Sequence, residues 1–184
     1  MKKRLIVIFI ILICLSPLFV MGRVSLSKEN LRLLYLRQQA LEFAEKYKDR
    51  PAIFISKKDH LLYFCKNGEI VENDRWNGQA YSFPVKVSLA SKYYKTPEGE
   101  MFISHKNPKS QFILFLGFSY PGTYGLHSGV TRLASYLEKQ EKKDPDFTFV
   151  TKKDDTRGCV AVENRVIKYL YANVPVKTPV LIVP

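Results

Sequence analysis

The chemistry open to this 184-residue chain turns on one thiol. In Thr156-Arg157-Gly158-Cys159-Val160-Ala161-Val162, Cys159 follows a glycine at the end of a polar loop and precedes an apolar run. That setting suits a nucleophile. Glycine lets the backbone turn sharply, successive N–H groups can converge on one point as an oxyanion hole, and a nearby base or cation favours the thiolate. A thiol nucleophile also needs an imidazole within hydrogen-bond reach, to take its proton and return it to a leaving amine. Tyr124-Gly125-Leu126-His127-Ser128-Gly129 sets one histidine between glycines in a loop. The other histidines, His60 and His105, stand beside Asp or Lys in turn-like sequence and read as solvated surface groups. Cys65 ends the apolar run Leu61-Leu62-Tyr63-Phe64-Cys65 and reads as core, a common fate of free cysteine. In an oxidising compartment a disulfide between Cys65 and Cys159 would abolish the nucleophile, so the two are expected apart.

These groups need a scaffold. Within residues 23–50, Leu31, Leu33, Leu34, Leu36, Ala40, Leu41, Phe43 and Ala44 recur among charges, with Ser27 as a cap and Pro51 as a stop, which predicts one amphipathic helix. From Ala52 the pattern changes to short apolar runs: Ile53-Phe54-Ile55, Leu61 to Cys65, a hairpin turn at Asn67-Gly68, Ile70-Val71, then 85–89, 101–103, 112–118 and 180–183. This predicts a mainly β domain over residues 51–184, with a few helices that include interruptions at 130–142 and 163–172. A charged insertion at 131–155, densest at 138–146 and 152–155, reads as a solvated loop or helix face. Having little apolar surface to bury, it is expected to control access to the cleft, as a lid or partner surface, more than stability.

Composition excludes several classes. With 46% hydrophobic, 25% charged and 13% aromatic residues, the chain is neither disordered nor collagen-like. Its 29 Lys and Arg against 17 Asp and Glu leave a net charge of +12, which favours anionic partners: nucleic acid, anionic lipid or a bacterial wall. Residues 1–22 narrow the choice. Lys2-Lys3-Arg4 precedes an apolar run at 5–15, broken at Ser16-Pro17, which reads as a signal peptide or, through residues 5–22, an inner-membrane anchor. Export to the periplasm or cell wall is expected, and nucleic acid is not. The 3 cysteines form no CxxC and the histidines no HxxxH, so no zinc site is expected.

Several segments, taken in order, resemble a known family. They are Ile55-Ser56-Lys57 with Leu62-Tyr63 and Asn67-Gly68; Lys95-Thr96-Pro97-Glu98-Gly99 before Phe102-Ile103; Gly117-Phe118-Ser119-Tyr120-Pro121; Gly125-Leu126-His127; Thr156-Arg157-Gly158-Cys159-Val160; and the closing residues 174–184. Together they resemble the YkuD-type L,D-transpeptidase catalytic domain, whose members carry a His-Gly loop followed by Ser/Thr-x-Gly-Cys. The resemblance implies a β-sandwich-like catalytic domain that acts on peptidoglycan stem peptides with no metal or organic cofactor. It implies Cys159 as nucleophile, His127 as general base, and the N–H groups of Arg157, Gly158 and Cys159 around the oxyanion. Thr156 would bond His127 or the substrate, and Arg157 would pair with a stem-peptide carboxylate. Transfer of the acyl group to an amine is transpeptidation; transfer to water is L,D-carboxypeptidation.

Three features depart from the family pattern. Many members carry Arg two positions after the cysteine, where this chain has Ala161, and Gly-Cys-Val-Ala-Val followed by Asn164 is closer to the YafK-like branch, some of whose members hydrolyse. Ser128 stands where Gly usually follows the histidine. The interval from His127 to Cys159 is 32 positions, and the charged insertion accounts for its length. Two readings from other classes fare less well. An inactive wall-binding module is disfavoured because the thiol, the histidine and the glycine are all present. A nucleic-acid binder, suggested by the charge and by Tyr93-Tyr94 and Phe112, conflicts with export.

Overall fold

A computed structural model describes residues 27–144, 147–150 and 154–184. The segment at 1–22, with its signal or anchor reading, lies outside the described residues. The chain divides into two units, residues 1–34 and 35–184. In the first, the described residues begin helix α1 (Lys28–Lys46), where the Ser27 hydroxyl accepts the Asn30 N–H at 3.2 Å, the cap expected from the sequence.

The second unit carries the remainder of α1 and strands β1 (Ala52–Ser56), β2 (Leu61–Lys66), β3 (Glu69–Ile70), β4 (Asp74–Trp76), β5 (Gln79–Tyr81), β6 (Val85–Lys86), β7 (Gly99–Asn107), β8 (Phe115–Phe118), β9 (Gly125–His127), β10 (Val160–Ala161) and β11 (Pro179–Val183). A 3-10 turn at Thr131–Leu133 leads into helix α2 (Ala134–Lys143), and helix α3 (Asn164–Asn173) follows β10. The mainly β expectation holds. Nine strands form one sheet in the order β10-β9-β8-β7-β11-β1-β2-β3, with β6 paired to β2, and β4 and β5 form a separate hairpin. Asn67-Gly68 turns the β2–β3 hairpin with positive φ at both residues, and Asn77-Gly78 does the same between β4 and β5.

Burial explains which runs became the centre. All five β1 side chains are buried, so this strand is covered on both faces, as its unbroken Ala-Ile-Phe-Ile run requires. Leu36, Ala40, Phe43 and Ala44 of α1 are buried in the same core as β1 and β2, and the Cys65 thiol lies 4.0 Å from the Ala40 carbonyl. The end of α1 is tied to β7, where Glu100 pairs with Lys46 at 2.7 Å and accepts the Tyr47 hydroxyl. Elsewhere in the core Tyr169 of α3 meets Phe64 at 5.9 Å, Phe83 at 5.9 Å and Trp76 at 6.2 Å, and stacks on Tyr81 at 4.2 Å.

One short segment curls the sheet on itself. Val85 and Lys86 pair with Leu62 and Leu61 of β2, Ser88 then bridges Ala161 of β10, and Ala90 bridges Thr156. Three residue steps, at most about 10 Å of extended chain, thus link β2 near one end of the sheet to β10 at the other.

The charged insertion departs from its expected role. Leu137 is fully buried, and Glu141 accepts the Arg165 N–H and the Asn164 side-chain amide, each at 2.9 Å. Helix α3 has no acidic residue in its first turn and no side-chain cap of its own, so α2 supplies both the missing acceptor and a favourable charge. Glu163 returns the bond by accepting the N–H groups of Phe149 at 2.9 Å and Val150 at 2.7 Å. Not all of its charges face solvent: Glu141 bonds backbone at a helix end, and Asp154 accepts the Leu89 N–H. The described part of the insertion is therefore a structural layer on α3 and contributes to stability. Leu137→Ala is expected to cost about 2–5 kcal/mol and lower Tm by roughly 5–15 °C, and Glu141→Gln about 1 kcal/mol. Thermal denaturation followed by circular dichroism measures both.

Candidate active site

The parallel pairing of β9 with β10 brings together the two residues that the sequence separates. Val160 lies beside Leu126 and Ala161 beside His127, which places Cys159, one step before β10, level with Gly125. Side chains alternate across a sheet. Leu126 and Val160 are fully buried in the core, so His127 and Cys159 both stand on the opposite face, on neighbouring strands and two residues out of step.

Glycine keeps that face clear around the thiol. A Cβ on Gly125 would lie 2.3 Å from the Leu116 carbonyl oxygen and 2.6 Å from the Phe115 ring. Gly158 has φ +113°, and a Cβ there would meet the Tyr124 ring at 2.4 Å. Thr156 holds this turn from inside: its hydroxyl donates to the Cys159 carbonyl at 2.7 Å and accepts the Gly158 N–H at 3.3 Å. The bonds of the Thr156 hydroxyl and of the Gly158 N–H are thus within the loop itself. Arg157 is exposed, its guanidinium 6.0 Å from the Tyr94 ring centroid.

The Cys159 thiol is buried and directed at the Thr123 carbonyl, 3.6 Å away. Burial pushes its pKa up, and the Gly125 N–H acts in the opposite sense. His127 is buried too. Its Nδ1–H donates to the Ser128 carbonyl at 2.5 Å, a contact that assigns the neutral tautomer with Nε2 as the basic nitrogen. Phe112 stacks on its ring at 3.8 Å, and Phe115 stands beside it on β8 at 6.3 Å. Burial drives the His127 pKa below the ordinary imidazole value, while the Ser128 carbonyl and the negative charge of Asp155 raise it. The dominant shifts favour the same resting state, neutral thiol beside neutral imidazole.

Asp155 and Ser88 are neighbours of this pair that the sequence pattern did not single out. Ser88 bridges Ala161, which lies beside His127, and the Ser88 hydroxyl donates to Asp155 at 3.1 Å. Phe115, His127, Ala161 and Ser88 thus form one row across the sheet, closed by a carboxylate. Only the position of Asp155, directly before Thr156-Arg157-Gly158-Cys159, could have signalled it. The other histidines have their partners elsewhere. His60 bonds Asp154 at 3.0 Å, and exposed His105 bonds Ser104 at 2.9 Å. Cys65 and Cys159 are both free thiols; burial pushes Cys65 up to about 12.

The titration of His127 carries a testable sign. Its folded-state pKa lies below its unfolded value of about 6.5, so this group's contribution to stability is complete above that value and is lost as pH falls below it. Asp155→Asn removes one of the influences that raise the His127 pKa, and is expected to move the imidazole titration to still lower pH. NMR titration of the His127 ring protons in both proteins measures the shift.

Comparisons with known proteins agree on this fold. A family model for the L,D-transpeptidase catalytic domain, YkuD, matches residues 50–182. No protein of curated function matches the chain. Among solved structures, an L,D-transpeptidase from Mycobacterium smegmatis is similar with TM-score 0.53 and 12% identity over 73% of this chain and 59% of its own. L,D-transpeptidase 3 from Mycobacterium tuberculosis gives TM-score 0.53 and 13% identity over 73% and 62%. One from Stackebrandtia nassauensis gives TM-score 0.50 and 15% identity over 73% and 56%, so the chain spans little more than half of that structure. At these identities the structures speak for the fold, and the family model for membership: the chain belongs to the YkuD family of L,D-transpeptidase catalytic domains.

Proposed function

We propose that this chain is an exported, cysteine-dependent acyltransferase of peptidoglycan, with Cys159 as nucleophile and His127 as general base. The substrate is a stem peptide in which a terminal D-residue follows the L-centre of a diamino acid. His127 Nε2 takes the thiol proton as Cys159 Sγ attacks that carbonyl. The tetrahedral intermediate collapses, the C–N bond breaks, and the departing D-amino acid takes the proton from the imidazolium, which leaves a thioester. An amine of a second stem peptide then attacks the thioester, gives its proton to His127, and releases the thiol as a new amide forms. The observation that carries this reading is the placement of Cys159 and His127 on one face of adjacent parallel strands, with Nδ1 of the imidazole committed to a carbonyl. The Gly158 N–H is occupied by Thr156, so of the three N–H groups of Arg157, Gly158 and Cys159, those of Arg157 and Cys159 are the better placed to meet an oxyanion.

Ala161 supports a second reading, L,D-carboxypeptidation. It lies beside His127, where a longer side chain would bring a cation to the acceptor side, and brings only a methyl group. Arg157, exposed beside the nucleophile, offers a charge from the other direction, and transfer is the outcome favoured here. A net charge of +12 and the basic, then apolar, residues 1–22 support work at the anionic wall, outside the cytoplasm.

Mass spectrometry of tetrapeptide muropeptides incubated with the purified chain tests both readings. Cross-linked dimers or D-amino-acid exchange are expected; tripeptide products alone, with acceptor amine in excess, would establish hydrolysis. Cys159→Ala should abolish turnover and acyl-enzyme formation, and His127→Gln should lower turnover by roughly 100-fold or more, while Cys65→Ala retains activity.

A further inference from the structure

A recess of about 410 Å³ adjoins the nucleophile loop, within the usual range for small-ligand sites. One of its walls is the segment that backs that loop. Leu89 and Ala90 line the recess, while the Leu89 carbonyl accepts the Thr156 N–H at 3.0 Å and Ala90 bridges Thr156. Lys95 lines it as well, and its carbonyl oxygen lies 3.0 Å from the point where a Gly158 Cβ would stand. Recess and thiol loop therefore share one strip of backbone.

The charges inside are unevenly used. Of the side-chain carboxylates in the wall, Glu98 is matched by Lys57 at 2.5 Å, and Asp154 is held by His60 at 3.0 Å and the Leu89 N–H at 2.9 Å. Lys58 and Lys95, both exposed, form no ion pair among the described residues. Tyr94 links the recess to the thiol loop: it lines the recess, and its ring lies 6.0 Å from the guanidinium of Arg157, which precedes Cys159 by two positions. Two uncommitted lysines and an aromatic residue thus line the recess, and the aromatic ring meets a guanidinium of the thiol loop.

We infer that this recess is a subsite for a carboxylate-bearing arm of the peptide substrate, gripped by Lys58 and Lys95, lying on Tyr94, and passed towards Cys159 by Arg157. The assignment rests on the peptide-transfer reading above and adds to it a preference for free acid over amide.

The probe is the tripeptide L-Ala-γ-D-Glu-L-Lys, compared with its glutamyl α-carboxamide, each titrated by calorimetry into the Cys159→Ala chain near physiological salt. Binding of the acid roughly tenfold or more tighter than the amide is expected, as one charge-assisted contact supplies. The double variant Lys58→Gln with Lys95→Gln, made at exposed positions, should erase the difference while keeping its Tm. Equal binding of acid and amide, no binding of either, or a preference that survives the double substitution overturns the subsite. So does displacement of the peptide by equimolar inorganic phosphate, which would mark a site for any anion. Muropeptide turnover by the unsubstituted chain is scored separately. Turnover without acid preference refutes the subsite alone, and acid preference without turnover refutes the transfer reading alone.

Discussion

The site depends on a short hydrogen-bond ladder, two residues of β10 laid parallel to β9 and held from the far side by Ser88. Parallel strands have no tight turn to fix their register, so something else must set it. Here the buried pair Leu126 and Val160 does so from the core side, and Ser88 exchanges backbone bonds with Ala161 at 2.9 Å and 2.8 Å from the other. A slip of one residue would turn Cys159 into the core and Val160 out of it. Register, core packing and active-site geometry are thus one constraint.

The same ladder sets the electrostatics. A thiol and an imidazole buried on one face lose hydration, and each shifts toward its neutral form. The fixed partners are mostly backbone: the Thr123 carbonyl and Gly125 N–H at the thiol, the Ser128 carbonyl at Nδ1. Such dipoles are anchored by the sheet and its loops and need little reorganisation as charge develops. Among the described residues, Asp155, reached through Ser88 from the segment that closes the sheet, is the one acidic side chain whose charge favours the imidazolium.

The insertion between β9 and β10 shows how a long interval is made compatible with a tight site. Helix α2 caps α3, and Glu163 gathers Phe149 and Val150. Asp154 then fastens the returning chain to His60 and to the Leu89 N–H, immediately ahead of Asp155 and the thiol loop. A polar stretch of this composition could not hold its position by apolar burial alone, and charge-assisted bonds to backbone N–H groups replace it.

Much of this was legible without coordinates. Alternation and turn chemistry identified a mainly β domain, the helical spacing and Ser27 marked α1, and glycine before Cys159 and around His127 singled out the pair, because these signals are local and act within a few residues. Charged residues carry no such local signal, since one carboxylate can be solvated or can cap a distant helix. Glu141, Glu163, Asp154 and Asp155 therefore looked alike in the sequence and took four different roles in the structure. Thr156 likewise bonds its own loop rather than His127, which depends on the left-handed turn at Gly158. The sequence by itself determined which residues could carry the chemistry and what period each element has; tertiary structure alone decided their register and their electrostatic partners, because both come from contacts between segments far apart in the chain.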